Sequence, residues 1–107
     1  MTRLTPDERT ELVKYCRRRI NRGESNFQDY YRLAILYWRE GRYTDALDLM
    51  TIAVRQNPAD GRAVFSLGFM HKKMRHPEQA KIAFTDVAHI ARNTVWHVYA
   101  LEQLGTL

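Results

Sequence analysis

"FQDYYRLAILYWREGRYTDALDLMTIAVRQNPAD", residues 27 to 60, decides how the rest of the chain is read. Its apolar residues recur at helical spacing, broken only around Gly41 and at "NPAD". Two bulky pairs stand out, Tyr30-Tyr31 and Tyr37-Trp38. Neighbours on a helix point about 100° apart, so both members of a pair cannot serve one surface. Tyr30 and Tyr37 share one stripe, while Tyr31 and Trp38 share another. One stripe fills a core. The other needs a separate purpose.

Outward from this stretch, the chain repeats itself in steps of 34 residues: Tyr31, Phe65 and Tyr99, then Leu33, Leu67 and Leu101. Ala34 maps to Gly68, Arg39 to Lys73, Ala46 to Ala80 and Met50 to Phe84. Ala34 and Gly68 are small so that a partner helix can approach closely, and Ala46 and Ala80 are the small residues on that partner. Tyr30, Leu33, Tyr37, Leu47 and Met50 fill the space between. Gly41 supplies a permissive backbone at the turn.

Punctuation by proline and glycine predicts six short helices and no strand. They run over about 6–22, 26–39, 43–56, 60–74, 77–91 and 94–104. Thr5, Pro6 and Glu8 read as an N-cap, a first-turn proline and a capping-box partner, and Gly23 stops that helix. Ser25 with Gln28 repeats the capping-box pattern before the second helix. Short loops between helices of this length make antiparallel hairpins.

A helix-turn-helix unit of this period resembles the tetratricopeptide repeat family. Tyr30, Leu33, Ala34, Tyr37, Gly41, Tyr43, Ala46, Met50, Ala53 and Pro58 stand where that repeat wants them. The resemblance implies an all-α, superhelical array of antiparallel helix hairpins forming one domain. It divides as a half-repeat helix at 6–22, repeat one at 27–60, repeat two at 61–94 and a terminal helix at 95–104. The second copy is degenerate, with Val64 for the usual large aromatic, His71 at the tyrosine position, Pro77 at the turn aromatic and Arg92 at the terminal proline. In the first helix, Arg19 stands where alanine is expected. Stacking such hairpins covers the apolar face that each leaves bare.

In that family the first helix of each hairpin lines the concave surface. The resemblance therefore turns the second stripe toward a groove. Tyr31, Ile35 and Trp38 line it, with Arg32 and Arg39 beside them. Phe65, Phe69 and Lys72 follow one repeat on, flanked by Arg62 and Lys73, and Trp96 and Tyr99 come from the last helix. Tyr31, Phe65 and Tyr99 read as a ladder of rings. Aromatic anchors in an apolar groove suit a hydrophobic or amphipathic segment of a partner protein, and the basic rim suits acidic flanks.

Two subtypes of the family can be compared. Carboxylate-clamp domains need charged or amide groups where this chain has Tyr31, Ile35, Ser66, Trp96 and Ala100, so a clamp is not expected. Stand-alone tetratricopeptide chaperones of bacterial type III secretion have a run similar to "DGRAVFSLGFMHKKMRHPEQAKIAF", residues 60 to 84, matching at Asp60, Arg62, Phe65, Gly68, Ala80 and Phe84. This chain is shorter than the translocator class of those chaperones, and basic where they are usually acidic.

Composition agrees with a small globular domain: 107 residues, 45% hydrophobic, 27% charged. A single Cys16 leaves no internal disulfide and fits a reducing, cytoplasmic setting. No run approaches the roughly 20 apolar residues of a membrane span. The net charge of +5 favours an acidic partner. Nucleic acid is the alternative reading, carried by "CRRRINR" at 16–22 with Lys14 before it. Against it, Glu40, Asp45, Asp48, Asp60 and Asp86 interrupt any continuous basic track.

No chemistry is expected. His71, His76, His89 and His97 lack zinc-site spacing, and His71 reads as a hydrogen-bonded structural residue. Cys16 lies on an apolar stripe as a buried, inert thiol. No triad, phosphate loop or acid/base pair assembles, so neither enzyme activity, metal nor cofactor is predicted. Val95, Val98, Leu101 and Leu104 on the last helix lack a covering neighbour, which predicts weak self-association.

Overall fold

A computed structural model describes residues 3–107. Six helices follow one another: α1 (Pro6–Asn21), α2 (Phe27–Arg39), α3 (Tyr43–Gln56), α4 (Gly61–Lys73), α5 (Pro77–Ile90) and α6 (Val95–Leu104). Each boundary lies within one residue of its predicted place. The tightest packing is within the hairpins, α2 on α3 and α4 on α5, and α6 lies against α5. This is an all-α array of antiparallel helix hairpins.

Local chemistry starts and stops these helices. The Thr5 hydroxyl accepts from the Glu8 amide at 3.1 Å, and Glu8 accepts from the Thr5 amide at 2.9 Å. The Thr5 amide, and after it the Thr5 hydroxyl, hold the Glu8 carboxyl below its ordinary range. Gly23 and Gly41 take φ of +70° and +81° after α1 and α2, a region open to glycine at little cost.

The second capping box is not the predicted one. Asn26, not Ser25, caps α2, and its side chain accepts from the amides of Gln28 and Asp29. The Asp29 carboxylate accepts from the Asn26 amide at 3.0 Å and from Arg19 Nε at 3.0 Å. Asp29 is only 3% exposed. A buried carboxylate needs a charged partner, and Arg19 is that partner. Arg19 also donates to the Glu24 carbonyl at 2.7 Å. The arginine that breaks the repeat pattern therefore ties α1 to the start of α2.

Two buried clusters form the core. The first joins Cys16 to Leu33, Ala34, Tyr37, Ala46 and Met50, and reaches Ala63 and Met70 of α4. The second joins Val64, Ala80, Phe84 and Val87 to Ala100 of α6, with Val54 packed against both. Tyr30 and Leu47, predicted as core, are partly buried at its edge. Cys16 is fully buried, and burial pushes its thiol pKa up, with the Asp29 charge adding to the effect. At Gly68 a Cβ would stand 2.9 Å from the Phe84 ring and 3.1 Å from Ala83. The close approach predicted at that position is real.

Candidate peptide-binding groove

Helices α2, α4 and α6 are joined side by side through their second stripes. Phe65 is the hub: its ring lies 5.5 Å from Trp96, 6.2 Å from Tyr99 and 5.3 Å from the core ring of Phe84, centroid to centroid. Trp96 and Tyr99 meet edge to face at 5.9 Å. Tyr31 takes a different neighbour from the expected ladder. Its phenol lies 3.4 Å from the Ser66 hydroxyl, which itself donates to the Arg62 carbonyl at 2.9 Å. The Arg62 guanidinium stands 4.5 Å over the Tyr31 ring. Tyr31 thus couples α2 to α4 through polar and cation–π contacts.

Ile35, Trp38, Arg39, Phe65, Phe69 and Trp96, together with Ser66 and Met70, line one cavity of about 380 Å³. Trp38 and Phe69 also wall a second hollow of similar volume, shared with Tyr43, Lys73 and Met74. Trp38 meets Tyr43 edge to face at 4.6 Å, and the Lys73 ammonium stands 5.3 Å over Phe69. The structure therefore brings together seven of the twelve candidate residues, namely Ile35, Trp38, Arg39, Phe65, Phe69, Lys73 and Trp96. Tyr31, Arg62 and Tyr99 adjoin them. Arg32 is exposed on α2, outside both linings.

Lys72 is placed otherwise. Its ammonium donates to Gln103 Oε1 at 2.7 Å and to the Thr106 hydroxyl at 2.9 Å, so it is already held by the chain's own acceptors. The other rim cations are free of acids. Among the described residues the ion pairs are Lys14–Glu11, Arg19–Asp29 and Arg42–Asp45. None of them involves Arg32, Arg39, Arg62 or Lys73. A half-apolar hollow with uncompensated positive charge at its edge attracts acidic ligands over a distance and holds apolar groups at contact.

Sequence reasoning missed Tyr43, Ser66, Met70 and Met74 as lining residues. Met70 and Met74 are four apart and share one side of the chain leaving α4, about 100° round from Phe69, and Met70 is itself a core residue. Ser66 stands at one of the positions a carboxylate clamp would use, but as a small hydroxyl it was not expected to line the groove. The basic run of α1 lies elsewhere: Arg17 and Arg18 line a hollow with Thr10, Asn21 and Glu40, and share no wall with Trp38, Phe65, Phe69 or Trp96.

Three of the four histidines make contacts within the fold. His71 Nδ1 lies 3.2 Å from His76 Nδ1, and burial, with the neighbouring imidazole, lowers the His71 pKa. His97 Nδ1 donates to the Ala88 carbonyl at 2.8 Å. Among the described residues, no three histidine, cysteine or acidic side chains come together as a metal site, and no helix is long and apolar enough to cross a membrane.

No protein-family model matches the chain, and no curated protein matches it. Among solved structures, the crystal structure of PcrH in complex with the chaperone binding region of PopB has the same fold. The superposition has a TM-score of 0.64 and 14% identity, covering 99% of this chain and 98% of that one. Identity so low speaks to architecture alone, and on architecture the match is nearly end to end: this chain is built as an all-α, tetratricopeptide-like helical array.

Proposed function

We propose that the chain is a non-enzymatic protein-binding module that holds a hydrophobic or amphipathic segment of a partner protein in the groove of α2, α4 and α6. In this reading it works as a chaperone-like scaffold, by complementarity and without turnover or cofactor. The observation that carries the reading is the cavity lined by Trp38, Phe65, Phe69 and Trp96 with unpaired Arg39 at its mouth. Apolar anchors of a partner lose water there, and acidic residues beside them meet the rim cations. PcrH, which shares the fold, is bound to a segment of another protein in its crystal structure. That supports a secretion-chaperone role as the finer form of the proposal, in a cytoplasmic setting suited to one buried thiol. The nucleic-acid alternative gains nothing from the geometry, because the arginines of α1 and the rings lie apart.

Both tryptophans of the chain line the cavity, so its occupancy can be followed by their fluorescence. A displayed library of short peptides selected on the protein should enrich large apolar residues with acidic neighbours. Their binding should shift the emission to the blue and be lost in Ile35→Glu and Phe69→Glu, which change no fully buried side chain. Selection of sequences without apolar anchors, or binding that survives both substitutions, would overturn the reading. Submicromolar RNA or DNA binding at physiological salt, abolished by reversing Arg17, Arg18 and Arg22, would replace it.

A further inference from the structure

Helix α6 buries Ala100 and exposes the strip opposite to it. Val95 is 58% exposed, Val98 52% and Leu101 51%, and Glu102 lies among them. The expected gap in cover is thus confined to this strip, because Leu104 packs against the second core cluster. The step of 34 maps Val98 onto Val64, Leu101 onto Leu67 and Glu102 onto Gly68. On α4, Val64 is buried with Phe84 of α5, which also closes over Gly68, while Leu67 packs against the first core cluster. So α6 shows to solvent the positions with which α4 meets other helices. Glu102, in place of a small residue, keeps any occupant from lying as close as α5 does.

The occupant can be argued from charge and register. The opposite end of the array is α1, which turns Lys14, Arg17, Arg18 and Arg22 outward. A copy stacked head to tail would strip water from those cations against valine and leucine, at a cost that nothing on α6 offsets beyond Glu102. The strip matches itself better. Two α6 helices laid antiparallel about a two-fold axis at Val98 set each Val95 opposite Leu101 of the partner subunit. Each Glu102 then faces the partner's Thr94.

That last pairing has a reason of its own. Thr94 is the N-cap of α6, yet its hydroxyl donates to the Ala91 carbonyl at 2.6 Å and caps no helix amide. The first turn of α6 holds no acidic residue. The positive end of the helix therefore lacks a carboxylate, and Glu102 from a second copy supplies one. The two Glu102 groups stand roughly 12 Å apart along the helix pair. That is beyond the Debye length of about 8 Å at physiological salt.

We propose that the Val95–Val98–Leu101–Glu102 strip of α6 is a self-association face, on which two copies of the chain pair antiparallel across a two-fold axis. The inference goes beyond the groove and stands without it. Four half-exposed side chains a copy fall short of the roughly 800 Å² per partner of a stable interface, so the pairing is weak and reversible.

Sedimentation velocity from low micromolar to millimolar concentration tests it. The weight-average coefficient of the wild type should climb, and that of Val98→Glu, which sets like charges on the axis, should stay flat. Glu102→Lys should weaken association several-fold. Val98→Cys should form a disulfide dimer on mild oxidation, because on a two-fold axis it meets itself and Cys16 is buried. Ile82→Cys, still more exposed on α5, should not. A wild type that stays monomeric throughout, or Val98→Glu associating unchanged, overturns the proposal. Failure of Val98→Cys to cross-link while the wild type associates overturns the two-fold geometry. The cysteine result stands even if Val98→Glu lowers the melting midpoint.

Discussion

Arg75 holds φ at +62° in the turn between α4 and α5, where Gly41, one repeat earlier, holds +81°. A side chain in that region costs about 1–2 kcal/mol, and glycine removes most of this at the expense of a looser unfolded chain. Arg75→Gly should therefore stabilise the protein by about 0.5–1 kcal/mol, read as a rise in the melting midpoint. A fall would mean that the guanidinium contributes more than the backbone strain removes. The turn was legible because the step of 34 puts residue 75 under Gly41. Asp29 was not. Ser25–Gln28 and Asn26–Asp29 both satisfy the capping-box spacing, and only the ion pair from Arg19, on another helix, decides between them. Local pattern reads a cap well when the choice is local, and here it is tertiary.

At the scale of the element, each hairpin fastens the end of its inner helix to the start of its outer one by the same two positions. In the first, Arg42 lies 3.8 Å over the Tyr37 ring, a contact indifferent to pH near neutrality. In the second, the same steps bring His71 against His76. An imidazole pair joined through Nδ1 needs one nitrogen with its proton and one without, so double protonation removes the bond and adds repulsion. Burial, then His76, sets the His71 pKa below its ordinary 6.5. The unfolded chain therefore binds more protons than the folded one as pH drops through that value. Stability is complete above it, falls below it, and levels off once the folded imidazole titrates as well. Melting at about pH 7.5 and about pH 5 should show a larger drop for wild type than for His71→Tyr. His71→Tyr with His76→Arg, which rebuilds the first clamp, should share the reduced slope. Equal slopes in all three would show that His71 does not titrate with folding. The helix limits themselves were legible almost to the residue, since proline, glycine and caps are short-range signals. The degenerate second clamp was legible only as a histidine out of place.

Across the whole molecule, the rings that line the cavity were visible in the sequence as a second aromatic stripe, but their partial packing against the core was not: Tyr31 and Trp38 lean on the first cluster, Phe65 and Trp96 on the second. Nor was the state of the groove's cations visible there. Gln103 and Thr106, which hold Lys72, lie 31 and 34 residues further along the chain, and only the packing of α6 beside α4 brings them within reach. Among the described residues, Arg32, Arg39, Arg62 and Lys73 have no acidic partner, while the pairs that do form lie on α1, α2 and α3. Charge and apolar surface then divide the labour of binding, under the reading that a segment with acidic flanks enters this groove. Exposed rim charges act during approach, and the pockets act after contact. Arg32→Glu with Arg39→Glu should slow association with a selected peptide several-fold at low salt, and the effect should fade as salt rises. Dissociation should change little. Phe69→Ala should do the reverse, leaving association nearly intact and raising dissociation about tenfold. Stopped-flow fluorescence of Trp38 and Trp96 separates the two rates. Should the charge reversals instead speed dissociation as much as Phe69→Ala does, the arginines would be gripping the ligand directly. Steering would then be the wrong account of why this groove is basic.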